Sequence, residues 1–374
     1  MKRISIVVLI LSVCFVSVAW GQEPAGARWG QFHRNNMARW NPYDKVFNVH
    51  NVGNLILKWS YTTLSGLSSS PAVANGVVYV GSNDNNVYAL SAKTGAKLWS
   101  YATGYPVESS PAVANGVVYV GSDDNNMYAL SAKTGAKLWS YSTGGPVYSS
   151  PTVANGVVYV GSWDNNVYAL DASTGTLLWS YATVYPVTCS PAVANGVVYV
   201  GSYDHNVYAL NATTGGLLWS YATGNSVASS PAVANGVVYV GSLDWNVYAL
   251  NATTGAKLWS YATSQSVGSS PAMANGVVYV GSGDGYVYAL NATTGAKLWS
   301  YATGYQSVGS SPAVANGVVY VGSPEGNVYA LNAKTGALLW SYTTGTVEYS
   351  SPAVSNGVVY LGSYDHNLYA FDLK

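Results

Sequence analysis

Charge is scarce in this 374-residue chain: 8% of residues are Asp, Glu, Lys or Arg, 15 of each sign, and the formal net charge is zero. A chain with so little Lys and Arg carries no clustered basic footprint for nucleic acid, and its 49% hydrophobic content argues against disorder. Phenylalanine is nearly missing as well, 4 residues against 33 Tyr. Cysteine is limited to Cys14 and Cys189. No segment shows the apolar spacing of an amphipathic helix. What is abundant is Gly, Ser, Thr, Asn and Tyr, the vocabulary of short strands and tight turns.

The first residues read as an export signal over residues 1–21. Met1, Lys2 and Arg3 form a basic start, Ile4 to Val18 is a short apolar run, and Ala19-Trp20-Gly21 places small residues at the cleavage spacing. Two rival readings are an uncleaved anchor and a lipoprotein. Leu11-Ser12-Val13-Cys14 faintly matches a lipidation site, but Val13 is large for the position before the modified Cys. Membrane association follows only if the N-terminus is retained or lipidated. Removal of the signal leaves Cys189 alone, so no intramolecular disulfide can form. Export implies a periplasmic, cell-surface or secreted location.

Near-copies of "SSPAVANGVVYVGS" recur eight times, with Pro at 71, 111, 151, 191, 231, 271, 312 and 352. A period of 40 residues, once 41, belongs to solenoids, propellers or arrays. Each copy divides into four strand signals: Ser69 to Ala74, Gly76 to Ser82, Val87 to Ala92 and Ala96 to Thr103 in the first. Asn75-Gly76 is the strongest short hairpin signal, because a type I′ turn needs positive φ at both central residues. Four short antiparallel strands make one propeller blade. The nearly continuous apolar runs suit sheets covered on both faces.

The last copy stops after its third strand, and the Trp-bearing strand at Leu55 to Thr62 has no blade before it. We therefore expect an all-β, eight-bladed propeller of four-stranded antiparallel blades over residues 54–374. An N-terminal strand completes the last blade and leaves no edge exposed. Residues 22–53 form a separate lead-in.

Within this pattern, "ALNATTGAKLWSYATG" (289–304) resembles the A-x-D-x-x-T-G-x-x-x-W motif of pyrroloquinoline quinone (PQQ)-type repeats. The resemblance covers about Leu55 to Lys374. It implies that Trp59, Trp99, Trp139, Trp179, Trp219, Trp259, Trp299 and Trp340 are structural, each packing between blades against a Thr-Gly peptide. Asn or Ser usually replaces the motif Asp, which only Asp171 and Asp372 keep. "RWGQFHRNNMARW" (28–40) resembles the lead-in seen before such repeats. The architecture is also similar to the scaffold propeller of the outer-membrane assembly machinery. Quinoprotein dehydrogenases share the fold, and by resemblance need an adjacent Cys pair, a catalytic Asp, a Glu/Asn calcium pair and an aromatic floor. The missing Cys pair argues against that chemistry, so no cofactor, no catalytic residue and no metal is expected.

His205 and His366 both occur in Tyr-Asp-His-Asn, but in opposite blades they stand roughly 25 Å apart, too far to share an ion. Every copy carries an acid after Gly-Ser-x: Asp84, Asp124, Asp164, Asp204, Asp244, Asp284, Glu325 and Asp365. These form either a carboxylate ring for a basic partner or Asx-type turns, and turn chemistry is favoured for each taken singly. Sequons at Asn211, Asn251 and Asn291 fall in Thr-Gly turns.

The copies differ mainly in two places, the loop between strands two and three and the stretch leading to the next Ser-Ser-Pro. In an up-and-down blade both open on one face, called the top here. Free drift of loops after duplication would produce variation as well. The top loops hold the acids just named with Glu108, Asp123 and Glu348, and no Lys or Arg. The opposite turns hold Lys93, Lys97, Lys133, Lys137, Lys257, Lys297 and Lys334. Such a field steers a basic partner to the top. The expected function is an exported, non-catalytic scaffold binding a protein partner there through Asp164, Asp204, Asp244, Trp163, Tyr203, Trp245 and Tyr364, without nucleic acid. The alternatives are a quinoprotein-like or sugar-directed enzyme, and a surface adhesin or carbohydrate-binding protein.

Overall fold

The computed structural model describes residues 29–32, 39–304, 307–345 and 349–374. The export signal, the first part of the lead-in and Glu348 lie outside the described residues. Eight sheets are arranged as blades. In the first blade β3 (Ala72–Ala74), β4 (Val77–Gly81), β5 (Asn86–Ser91) and β6 (Lys97–Ala102) follow one another from the channel outward. They are preceded by two N-terminal strands, β1 (Trp40–Asn41) and β2 (Leu55–Thr62). β2 pairs antiparallel with Asn367–Leu373, from Leu55 opposite Leu373 to Thr62 opposite Asn367, and so closes the ring as expected.

The turn chemistry sets this geometry. Asn75 has φ +52° and Gly76 φ +71°, the left-handed pair a type I′ turn requires, and every blade repeats it. Val78, Val80, Val87, Ala89 and Leu90 are fully buried because neighbouring blades cover both faces of the two middle strands. The outer strand is largely exposed apart from its Trp.

The innermost strand is shorter than the sequence suggests, three residues rather than Ser69 to Ala74. Pro71 has no N–H to pair, and the serines before it are engaged elsewhere. The N–H of Ser70 donates to Ser110 Oγ at 2.9 Å, that of Ser110 to Ser150 Oγ, and so on through Ser190, Ser230, Ser270, Ser311 and Ser351. Ser351 N–H donates back to Ser70 Oγ at 2.9 Å, which completes a circle of hydrogen bonds around the channel. The preceding serine bonds differently, since Ser69 Oγ accepts the Gly81 N–H at 3.0 Å, inside its own blade.

The described residues of the lead-in lie against the propeller. Residues 29–31 and 39–41 run in the channel and meet inner strands of five blades, whose free edges would otherwise lack partners, while Phe47 O accepts the Asn316 side-chain N–H at the Asn-Gly turn of the seventh blade. Trp29 and Val73 exchange backbone hydrogen bonds at 2.9 and 2.8 Å, Val113 N–H donates to Gly30 O, and Val153 N–H donates to Gln31 Oε1. β1 pairs parallel with Ala313–Ala315 of the seventh blade. Asn41 Nδ2 donates to Val354 O and Gly357 N–H to Asp44 Oδ2, both in the eighth blade.

Arg39 is the centre of this plug and is fully buried. Its guanidinium donates to Phe32 O at 2.6 Å, Pro312 O at 2.9 Å, Pro352 O at 3.0 Å and Ser311 O at 3.3 Å. It also lies 4.5 Å from the Phe32 ring centre and 5.6 Å from that of Trp29. Burial lowers its pKa to about 9, which leaves it charged at neutral pH. Carbonyl dipoles and ring faces therefore solvate this cation.

Candidate functional site

On the top face, the acids are drawn into the structure. Asp244 Oδ1 accepts the backbone N–H of Asn246 at 3.0 Å and its side-chain N–H at 3.2 Å. Its Oδ2 accepts the Tyr248 hydroxyl at 2.7 Å and the N–H of Gly224, in the loop arriving from the previous blade, at 2.6 Å. Asp164 makes the same four contacts with Asn166, Tyr168 and Gly144, and Asp204 with Asn206, Tyr208 and Val184. The favoured turn chemistry is thus present and reaches further, because each carboxylate also ties its blade to the one before. Burial pushes the Asp244 carboxyl up, but the Tyr248, Gly224 and Asn246 bonds outweigh it and hold it below the ordinary value. Glu325 departs from the pattern. Its Oε2 is buried without a hydrogen-bond partner, and Tyr329 donates instead to Thr303 O at 2.9 Å.

The aromatic residues separate into groups. Trp163 stands between Tyr148 and Tyr203, edge-on to both at 5.6 and 6.0 Å between ring centres. Tyr364 accepts the Ser68 hydroxyl at 3.1 Å and lies 6.3 Å from Tyr349. Trp245 is apart from both groups, 54% exposed, at φ +75°. Asn85, Asn125, Asn165, His205 and His366 hold the same turn position at positive φ in other blades. Asn and His tolerate that conformation, whereas a bulky Trp there is uncommon.

A cavity of about 420 Å³ opens at the centre of this face. Trp163, Tyr148, Tyr203, Tyr349 and Glu108 line its wall, the serine circle lies beneath, and Phe32 of the lead-in is at its floor. Of the binding residues expected from the sequence, Trp163 and Tyr203 meet here. Glu108 and Tyr148 were not among them, although Glu108 is one of only two acids in the stretches before Ser-Ser-Pro.

Seven of the eight tryptophans make one contact in common. Trp219 Nε1–H donates to Ala252 O at 3.0 Å, and a Cβ added to Gly255 (φ +72°) would come within 2.7 Å of its ring. Trp59, Trp99, Trp139, Trp179, Trp259 and Trp299 repeat this on the next blade. Trp340 differs from the expected uniform role. The last blade has no Thr-Gly turn, so Trp340 donates to Leu55 O at 3.0 Å and packs edge-on against Phe371. Cys189 replaces a serine in the same bond, its sulfur accepting the Gly201 N–H, and burial pushes its thiol up to about 12.

The PQQ_2 family model, described as outer membrane protein assembly factor BamB, matches residues 56–148, 103–191, 143–231, 184–311 and 283–374. The chain belongs to this family. The PQQ_2 propeller is similar to solved structures of three kinds. BamB from Moraxella catarrhalis is 22% identical with a TM-score of 0.75, over 85% of this chain and 99% of that one. The computationally designed Ika8 protein is 21% identical with a TM-score of 0.75, over 83% and 97%. A quinohemoprotein alcohol dehydrogenase from Pseudomonas putida HK5 is 18% identical with a TM-score of 0.82, over 93% and 80%. At these identities the likeness is one of fold. No curated protein matches the chain.

Among the described residues, the basin lining offers no positive partner for the quinone carboxylates of such dehydrogenases. PQQ is a tricarboxylate, and the described residues lining the basin include Glu108 and no Lys, Arg or His. Cys189 has no cysteine neighbour in sequence. Arg39, the one channel cation among the described residues, is turned to four carbonyls.

Proposed function

We propose that the protein is an exported, non-catalytic scaffold that binds a protein partner on its top face, after removal of residues 1–21. The observation that carries this reading is the pairing of turns that repeat unchanged on the lower face with loops that vary on the upper one. Described residues of the chain's own lead-in occupy part of the channel, and above them a basin remains open that is lined by exposed Trp163 and Tyr349 and half-buried Tyr148 and Tyr203. Aromatic side chains on loops over a stiff framework suit partner recognition. Membership of a family described as an outer membrane assembly factor points the same way.

Capture from envelope extract tests it, comparing the wild type with a variant carrying Trp163→Ala, Tyr203→Ala, Trp245→Ala and Tyr364→Ala. A protein retained by the first and lost by the second is expected. Equal retention, or loss only when Lys93, Lys133 and Lys297 are replaced, would move the interface off this face. A quinone absorbance band after incubation with PQQ and Ca²⁺ would favour the enzyme alternative.

A further inference from the structure

The face opposite the top is level and basic. Its two sets of turns lie side by side, since Ala92 N–H donates to Gly76 O at 2.9 Å and the bond recurs in the second to seventh blades. Repetition around the ring therefore brings these turns to one level. Exposed lysines stand in or beside the Thr-Gly turns of the fifth, sixth and seventh blades, at Lys257, Lys297 and Lys334. They continue at Lys93 and Lys97 in the first blade and at Lys133 and Lys137 in the second. Over the eighth blade, between these two groups, Lys45 of the lead-in is exposed as well. No ion pair engages any of them among the described residues, where Lys58 alone is bound, to Asp372 at 2.8 Å. Asp44 is buried, and Asp171 lies outside the arc, in the third blade.

The lead-in also gives this face an apolar tip. The Gly357 N–H in the eighth Asn-Gly turn donates to Asp44 Oδ2 at 2.9 Å, and a Cβ added to Gly357 would meet Val46. Phe47 O accepts the Asn316 side-chain N–H at 2.6 Å, at the seventh such turn. The loop is thus laid over the turns and stands out from their plane. Tyr43 is 57% and Val46 49% exposed there, on either side of Lys45. Chain direction adds an independent sign. Trp29 is antiparallel to Val73, whose strand descends to the Asn75-Gly76 turn, so the chain enters the channel from below. The apolar run Ile4 to Val18 precedes that entry in sequence.

We propose that this lower face rests on an anionic membrane surface, with the lysines of the seventh, eighth, first and second blades against lipid phosphates and Tyr43 and Val46 among the headgroups. An acidic protein would match the charge but leave the apolar tip unused. A bilayer surface takes both, because it is planar, anionic and apolar just beneath the phosphates. Lysine stems can lie along apolar surface while the ammonium stays at phosphate level. The acids of the top face oppose the reverse orientation. This contact needs neither a retained nor a lipidated N-terminus. It goes beyond the scaffold reading, and leaves the top face turned outward whatever that face binds.

Sedimentation of the mature protein, residues 22–374, with phosphatidylcholine vesicles holding about 30% phosphatidylglycerol tests it. Binding is expected, at least about tenfold tighter than to phosphatidylcholine alone, and weakened by salt at about 0.5 M. Replacing Lys93, Lys97, Lys133 and Lys137 together by Gln, at exposed side chains without ion pairs, should weaken binding at least about thirtyfold while urea melting stays unchanged. A polarity-sensitive dye on Tyr43→Cys should shift to the blue on vesicles, and one on Tyr105→Cys, at an exposed top-face position, should not. Cys189 is buried and stays unlabelled. Equal binding to the two vesicles, equal binding by the lysine variant, or a blue shift at position 105 instead of 43 would overturn the proposal. Binding to soluble poly-glutamate without a dye shift on vesicles would overturn it too, and assign the face to an acidic macromolecule. Envelope capture with the aromatic variant reads the top face alone, so the two readings fail separately.

Discussion

Replacing Asp244 by Asn tests whether the acids of the top face serve the fold. The carboxylate accepts four hydrogen bonds at 2.6–3.2 Å, from two backbone amides, one side-chain amide and one hydroxyl. Asn keeps one acceptor oxygen and turns the other into an NH₂ group. Tyr248 can rotate its hydroxyl and accept. The Gly224 and Asn246 N–H groups cannot, so whichever way the amide lies, one meets another donor. Loss of one charge-assisted bond is worth about 1.5–3 kcal/mol, and partial exposure to water reduces this to about 1–2 kcal/mol. With a slope of about 3 kcal/mol/M in urea, the midpoint should fall by about 0.3–0.7 M. The sign of the pH dependence is fixed as well. The Asp244 pKa is depressed in the folded state. Its contribution is therefore present above the unfolded value of about 4 and disappears as pH falls through the folded one. Urea melts at pH 7 should separate wild type from variant, and the gap should close towards pH 3. Identical midpoints at pH 7, or a gap undiminished at pH 3, would refute the structural role.

The remaining predictions concern other parts of the ring. Trp219→Ala should cost about 3–5 kcal/mol in urea melts, and Trp340→Ala less, since Trp340 is only half-buried at the seam. Deleting residues 22–62 removes β2 and the plug, and should expose the edge of Asn367–Leu373 and cause aggregation visible by light scattering; a monomer with unchanged melting would contradict the closure. The raised pKa of Asp123 means the folded state holds a proton that the unfolded chain releases between about pH 4 and 7. Stability should therefore fall as pH rises through that window, and Asp123→Asn should flatten the profile. Cys189, 2% exposed and with a pKa near 12, should resist maleimide at pH 8 until the protein unfolds; rapid labelling of the native protein would show the site to be open.

Legibility in the sequence followed the range of the interactions. Asn75-Gly76 declares its turn within two residues, and the unpartnered strand at Leu55 to Thr62 together with a truncated last copy declares the closure. Asp84 and its equivalents were readable as turns because Asn86 is two residues away. Their second bond, to an amide twenty residues earlier, has no local sign. Ser-Ser-Pro looks like ordinary extended chain, and its two serines reveal different partners only once the blades are side by side. The plug was invisible for the same reason: Arg39 reaches Pro312 and Pro352, 273 and 313 residues away. Glu108 stood in a variable loop as a single unrepeated letter, which pattern comparison passes over.

The path of the lead-in bears on how the protein keeps its size through evolution. Near-identical repeats invite unequal recombination, which adds or removes a unit while leaving every local contact between neighbours intact. The lead-in is not repeated, and it touches the first three blades through Trp29, Gly30 and Gln31 and the last two through Arg39, Asn41 and Asp44. These anchors hold the first three and the last two blades to one stretch of chain. A ring with seven or nine blades would move the anchoring points apart or together, leaving the Arg39 guanidinium without part of its carbonyl cage. A gained or lost repeat, silent at every blade-to-blade contact, would thus meet its mismatch at the centre of the ring.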